Sequence, residues 1–399
     1  MLFGRFDEIK LRDFRERLKS LRYIEARISK RLRVWHLSAI GLPDYPIYAE
    51  RLRQHPDALS TLISLFLLQS EVRREAADVA LNSDIVDELL TVGLIVQTGT
   101  NAIAATVSIY PCSGFYFVTD HRFFLVAREY PVAPAQPVMY LGQDSYTLAY
   151  LAPKSPKGGR VLDLCTGSGV QAILAARYSR QVIGMDINPR AVEFARFNAA
   201  LNGVSAQCDF RCGNVYDAVK GAGEWDHDRF DLILANPPFV PSPNIGPDLL
   251  LFQDAGPAGD EIVVPILAGL LMHLKPTGLA AIISLFAEQK RVRCETRIKK
   301  AIGSRSPVDL LLLRFYSVEP DEFASWFTWR PFGDDFAAYS QRYKEWLDTL
   351  RTQQIVRLTH GVLVVRMSQE ASFRTVDVAL PRRAQPKAIK REINLLHTS

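Results

Sequence analysis

From Gly158 onward short apolar runs alternate with segments of helical spacing, and this alternation constrains the fold more than anything else in the chain. Runs at 160–164, 181–186, 210–212, 230–235 and 279–286 have strand length, and 170–178, 189–202, 260–274 and 287–301 read as helices. Two more apolar runs follow at 308–316 and 356–367. Strands that alternate with helices bury both faces of a parallel sheet, so the expected class is α/β with a doubly wound, seven-stranded sheet. The last two runs are not separated by a simple crossover, which predicts an antiparallel edge.

The first strand runs into Asp163-Leu164-Cys165-Thr166-Gly167-Ser168-Gly169. Glycine lets a backbone take positive φ and approach a ligand, and the carboxyl edge of a parallel sheet is where such folds bind ligands. A dinucleotide is disfavoured, because the fingerprint's third glycine is absent and position 172 is Ala. Asp186 closes the second strand, 23 residues after Asp163. A carboxylate there accepts from both ribose hydroxyls, while Asp163 can bond an amino group directly or through water. Two carboxylates and an open loop suit an adenosyl ligand with a cationic amino-acid tail and no phosphate. S-adenosyl-L-methionine meets that description. The cofactor-binding candidates are then Asp163, Thr166, Gly167, Ser168, Gly169 and Asp186, with Ile187 placed to pack on adenine.

The fourth strand ends in Asn236-Pro237-Pro238-Phe239. An amide or aromatic amine nitrogen is a poor nucleophile because its lone pair is conjugated. The Asn236 side-chain carbonyl and the Pro237 backbone carbonyl, fixed by the prolines, can hold both N–H hydrogens and favour the more positive nitrogen of the transition state. Phe239 can stack on the flat group. These four residues are the catalytic candidates, and Asn236 also counts toward the cofactor site.

DLCTGSG, MDINPRAVEFARFNAALNG and ANPPF together resemble a class I S-adenosylmethionine-dependent methyltransferase with a Rossmann-like sheet. The NPPF element resembles that of the HemK-like glutamine methyltransferases of release factors, the adenine-N6 DNA enzymes and the guanine-N2 ribosomal RNA enzymes, and within that set the whole chain is most similar to the HemK-like proteins. The resemblance covers about residues 140–290. It places Asp144 and Ser145 on the Asp-Thr of a HemK stretch whose flanking Pro-Arg and Glu are missing here, Tyr146 standing for the Glu. It also implies that Asn214, where the family generally has Asp, accepts from the adenine amino group; Asp217 is the alternative.

Ahead of this lie helices over 1–55, then three short helices. Asp57 is placed to cap the first of the three and Ser83 or Asp84 the third, which Gly93 stops. Alternating runs at 103–110 and 115–119 complete a winged-helix-like unit. Its helices carry Glu71, Glu75, Asp78, Asp84, Asp87 and Glu88, which argues against a DNA reader. Tyr110, Phe115, Tyr116 and Phe117 offer a lid for a small substrate. The proline-rich stretch 131–139 marks a boundary. The expected domains are 1–135 (helical, winged-helix-like, substrate-recognising), 136–375 (methyltransferase) and 376–399 (basic tail). Between Met1 and Arg33 stand eleven Lys/Arg against five Asp/Glu, so the net charge of +5 is concentrated near the ends.

Five cysteines without a CxxC pair point to a reduced, cytoplasmic protein, and Cys208 with Cys212 reads as packing, not zinc. No metal is expected. No apolar h-region follows the charged N-terminus, and no apolar run spans a bilayer. His273 reads as a core or helix-end histidine. The function expected is N-methyl transfer to an amide or planar nitrogen of a protein or peptide, such as a glutamine side chain. A small molecule and an exocyclic base amine of RNA or DNA are the alternative acceptors, nucleic acid being less favoured. The sequence leaves the acceptor and the oligomeric state open.

Overall fold

The computed structural model describes residues 7–122, 136–219, 229–243, 250–328, 335–369 and 371–378. The proline-rich stretch up to 135, most of the basic tail and residues 244–249 of the loop after NPPF lie outside them. The chain divides into two compact units: Met1–Ala149 with Thr166–Arg177 and Gln181–Cys212, and Tyr150–Cys165 with Tyr178–Arg180 and Gly213–Ser399.

The first unit opens with α1 (Glu8–Ser20), α2 (Glu25–Leu32) and α3 (Tyr45–Arg53). Asp7 caps α1 by accepting from Ile9 N at 2.7 Å, and Leu11, Phe14 and Leu18 form its buried face. Asp57 caps α4 (Ala58–Phe66) as expected, accepting from Ser60 N at 2.8 Å. Next come β1 (Val72–Arg73), α5 (Arg74–Leu81) and α6 (Ser83–Thr91). The cap of α6 is Asn82 and not Ser83 or Asp84: at φ 72° its side chain accepts from Ile85 N at 2.9 Å. Gly93, at φ 79°, follows the helix end.

The wing lies one element earlier than the apolar runs imply. β2 (Ile95–Gly99) and β3 (Ala102–Ala105) pair antiparallel, and β1 joins on the far side of β3. Strand β2 gives no alternating signal because its last three residues are exposed. The run 103–110 is in fact two strands. Thr106 breaks it, bonding Leu94 O through its backbone at 3.0 Å and Gly93 O through its hydroxyl at 2.6 Å. Beyond the break β4 (Ser108–Cys112) pairs with β5 (Phe115–Thr119) in a separate two-stranded sheet.

After α7 (Gln143–Leu151) come β6 (Gly159–Leu164), α8 (Val170–Ala175), β7 (Ser179–Asp186), α9 (Pro189–Asn202), β8 (Cys208–Cys212) and β9 (Phe230–Ala235). The chain continues through α10 (Val263–His273), β10 (Leu274–Gln289), α11 (Cys294–Ile302), β11 (Val308–Val318), α12 (Pro320–Thr328), α13 (Phe336–Thr352), β12 (Ile355–Met367) and β13 (Ser372–Asp377). The sheet built from β6 onward has eight strands, not seven. The eighth, β13, is largely exposed and polar and left no apolar pattern to read. It pairs parallel to β11 and is tied by Arg314 and Ser372, which bond Asp377 and Asp309.

In the first unit β7 and β8 run parallel, Gly184 opposite Phe210. In the second the order is β13-β11-β12-β10-β9-β6, with β12 antiparallel to both β10 and β11. The expected antiparallel element is therefore internal. Helix α11 starts at Cys294 rather than 287, because Ala287, Glu288 and Gln289 still pair with β12. Helices α12 and α13 fill the long connection between β11 and β12, burying Phe323, Leu347 and Leu350 against Leu285 and Leu358.

One contact holds the N-terminal hairpin to α9, within the first unit. Asn198 accepts from Val118 N at 2.8 Å and donates to Val118 O at 2.9 Å; Asn202 accepts from Tyr116 N at 2.9 Å and donates to Tyr116 O at 2.7 Å. Four residues of helix rise about 6 Å and two residues of strand about 6.7 Å, so amides at i and i+4 meet alternate strand residues. Asn198 also donates to Ser168 O at 2.9 Å, fixing the glycine turn. Replacing Asn198 with Ala leaves the backbone of Val118 without partners in a buried place. Urea unfolding should show a loss of about 1–3 kcal/mol; an unchanged midpoint would mean that these bonds are not holding the hairpin.

Candidate active site

The glycine turn and the end of β7 lie in the first unit. Gly167 takes φ 55° and Gly169 φ 84°, and a Cβ at Gly169 would lie 3.1 Å from the Cβ of Ala195 on α9. A side chain there is opposed by both conformation and space. Thr166 N donates to Met185 O at 2.8 Å and Gly169 N to Thr166 O at 2.9 Å, which closes the turn. Thr166 and Ser168 are buried.

The Asp186 carboxylate accepts from Gly167 N at 2.8 Å on one oxygen and from Asn188 N at 2.9 Å on the other. Burial lifts its carboxyl above the ordinary aspartate value, while the N–H groups of Asn188, Gly167 and Ile187 pull it back. Ile187, beside it, exposes 53% of its surface, unusual for an aliphatic residue at a strand end. A half-buried carboxylate next to a bare aliphatic side chain matches a diol followed by a flat ring, and the turn 166–169 carries no Lys or Arg that would call for a phosphate. The donor set of this turn thus fits an adenosyl group. Asp144, second residue of α7, is half-buried, and Ser145 O accepts from Gln171 Nε2 at 2.9 Å.

The start of α9 is anchored beside Asp186. Asn188 caps it, accepting from Arg190 N at 3.0 Å. Arg190 grips the buried Asp120 with Nε at 2.8 Å and with a second, shorter bond from Nη2, and Asp120 also accepts from Val138 N at 2.7 Å. No motif announced Asp120 or Arg190; the only hint is an arginine in a first helical turn, where the dipole disfavours a cation unless a carboxylate holds it.

In the second unit Asp163 is buried on β6, and Asn214 and Asp217 stand in the turn at 213–217. Asn214 and Asp217 are both exposed, and Asp217 N donates to Asn214 O at 2.9 Å. His273 is structural: it stacks on Tyr216 at 4.1 Å and 7°, and its Nδ1 bonds Gly269 O at 2.8 Å.

Asn236-Pro237-Pro238-Phe239 leaves the C-terminal end of β9, between β6 and β10. Asn236 is half-buried and its side chain makes no hydrogen bond among the described residues, and no donor there reaches Pro237 O. Beyond the motif the chain is clipped to the following loop by Val240 N to Gln253 O at 3.0 Å and Ala255 N to Val240 O at 3.1 Å.

From Phe239 a line of rings runs to the surface. Phe239 lies 5.9 Å from His360, His360 stacks on Tyr316 at 4.9 Å, and Tyr316 meets Trp326 edge-on at 6.0 Å. A β-bulge between Arg314 and Tyr316 sets this up, since Phe315 has no opposite residue and Tyr316 faces His360. Gly361 allows it, because a Cβ there would stand 2.5 Å from Leu313 O. His360 sits in an apolar strand without any motif, and sequence reasoning passed over it, Tyr316 and Trp326.

All five cysteines are free thiols. Among the described residues no three His, Cys, Asp or Glu are grouped to hold a metal, and no helix is long and apolar enough to cross a membrane.

A methyltransferase-domain family model matches residues 155–293, and a domain of unknown function (DUF7059) matches 45–106. The release factor glutamine methyltransferase of Rhodospirillum rubrum is 36% identical over 35% of this chain and 44% of its own length. The ribosomal protein uL3 glutamine methyltransferase of Bordetella pertussis is 30% identical over 42% of this chain and 56% of its own. The chain thus spans about half the length of these two relatives. A candidate protein N5-glutamine methyltransferase of Methanocaldococcus jannaschii is 32% identical over 34% of this chain and 68% of its own length. With two thirds of that relative covered, the chain belongs to the HemK-like family of class I S-adenosylmethionine-dependent methyltransferases.

Proposed function

We propose that the chain methylates a glutamine side-chain nitrogen of a protein, in the cytoplasm, with S-adenosyl-L-methionine as donor. The observation that carries this reading is the pair of unengaged acceptors, the Asn236 side chain and Pro237 O, at the carboxyl end of a central parallel strand. Polar groups in such places are ordinarily paired, and two acceptors side by side match the two N–H hydrogens of a primary amide. The relatives named for glutamine methylation of release factors and of a ribosomal protein support the same acceptor class.

When bound, the donor supplies an electrophilic methyl on a sulfonium. The chain's residues do the rest. Asp186 accepts from the ribose hydroxyls, and Gly167 and Gly169 let the backbone approach. Ile187 packs on adenine, and Asn214, with Asp217 as alternative, accepts from its amino group. Thr166, Ser168, Asp163 and Asp144 line the amino-acid end. Asn236 and Pro237 O hold the amide hydrogens, turn the nitrogen lone pair toward the methyl and share the positive charge that grows there. Phe239 covers the flat face, and the nitrogen's spare proton leaves to water.

Incubation of extract with tritiated donor and the protein tests this. Label is expected in protein and, after digestion, in N5-methylglutamine. Label confined to nucleic acid or to small molecules would overturn the acceptor.

A further inference from the structure

We propose that the amino-terminal helices carry an anion site for phosphate groups, built from residues that take no part in methyl transfer. The basic side chains of α1 and three of those on and just after α2 differ in how they are held. Those of α1 are engaged by the protein itself. Lys10 pairs with Glu88 at 2.8 Å and Lys19 with Glu16 at 2.8 Å, Arg17 donates to Ala80 O at 2.7 Å, and Arg15 donates to Leu201 O at 3.3 Å. Arg27, Lys30 and Arg33, on and just after α2, have no ion pair or side-chain hydrogen bond among the described residues.

These three converge with Arg31 and Arg51 on a cleft of about 400 Å³. Only Arg31 is neutralised, by Asp57 with two bonds of 2.8 Å. Arg51 donates to Leu32 O at 2.5 Å, which fixes its guanidinium without cancelling its charge. Basic residues at helix C-termini are common because the dipole favours them, and α2 and α3 both end in basic turns. That does not explain five cations around one cavity. Arg53 shows the ordinary case: it shares the last turn of α3, pairs with Glu50 at 2.7 Å and does not line the cleft.

The chemistry of the wall selects the ligand. Guanidinium forks and an ammonium match phosphate oxygens. The one ring in the lining is the His55 imidazole and no Phe, Tyr or Trp stands there, so the wall offers cations for phosphate and lacks the aromatic row of a base-stacking platform. The chemistry the site selects is therefore that of phosphate groups. Free polyphosphate and the backbone of a folded RNA share that chemistry.

The test uses the full chain without methyl donor, so that it stands or falls apart from the methyl-transfer reading. Sodium tripolyphosphate is titrated by calorimetry and an RNA hairpin by fluorescence anisotropy, with polyglutamate as the carboxylate comparison. R27Q/K30Q removes two charges from the cleft, and R12Q/K19Q removes two from α1. R27Q/K30Q is expected to weaken phosphate binding at least about tenfold and R12Q/K19Q less than about twofold. Arg33→Gln, a second variant, should also weaken it, and circular dichroism melting controls for folding. If the RNA hairpin binds, the slope of log affinity against log salt should shrink by about two in R27Q/K30Q; binding of tripolyphosphate alone assigns the free anion. The proposal is overturned if neither probe binds, if both double variants lose affinity equally, or if polyglutamate binds as tightly as the phosphates.

Discussion

Asn236→Ala is expected to lower kcat by about 10²-fold or more while the affinity for S-adenosylmethionine changes less than about twofold. The magnitude is that of removing one preorganised group which meets charge developing in a transition state, and the split follows because such a group stabilises the transition state and not the bound donor. Stability should hardly move, since the Asn236 side chain makes no hydrogen bond among the described residues. Single-turnover methyl transfer beside calorimetric titration of the donor reads both quantities. Turnover within about tenfold of the parent would remove Asn236 from the chemistry. A parallel loss of donor affinity would instead make it a cofactor contact.

The second large effect is expected at Asp186. Its carboxylate is set by Gly167 N and Asn188 N, one on each oxygen, so each oxygen keeps capacity for a ribose hydroxyl. Two charge-assisted hydrogen bonds at about 1.5–3 kcal/mol each predict at least a 100-fold loss of donor affinity in Asp186→Ala. The pH dependence follows from the burial that lifts this carboxyl above the ordinary aspartate range. Only the ionised form accepts from both hydroxyls and from the two N–H groups. Donor affinity should be level near neutrality and fall on acidification, beginning at higher pH than an ordinary aspartate would give. Stability without ligand runs the other way: the folded state holds the Asp186 proton more tightly than the unfolded chain. The group's contribution is therefore full below the unfolded pKa and is lost as pH rises through the folded one. Calorimetry across pH on the parent and on Asp186→Ala checks both signs. A flat affinity profile in the parent would contradict the role of the ionised carboxylate.

The half of the chain with a regular rhythm was the legible half. Helix α9 was readable to the residue because Pro189 and Gly203 punctuate it and Asn188 stands at its cap. Strand β9 was equally plain, a short apolar run cut off by Asn236-Pro237. Strand β2 was not, since an exposed wing has no buried face to print a pattern, and β13 failed for the same reason at the edge of the large sheet. The break at Thr106 was invisible because it divides one apolar run between two sheets. Cap choice at α6 failed because the residue before the two candidates, Asn82, takes a positive φ of 72° that composition alone does not announce. In the candidate site the motif residues were readable and their supports were not. Asp120, Arg190, Tyr316 and His360 reach the site through long-range packing, to which a local pattern is blind.

The two asparagines of α9 have a consequence beyond the turn they steady. A two-stranded ribbon such as β4–β5 presents rows of open N–H and C=O groups, the kind of margin along which chains join one another into aggregates. Here Asn198 and Asn202 occupy those groups at Val118 and Tyr116, donor to acceptor and acceptor to donor, as a neighbouring strand would. A helix thus finishes the β5 margin with side chains alone, and those backbone groups are closed to another chain without a further strand having to be added.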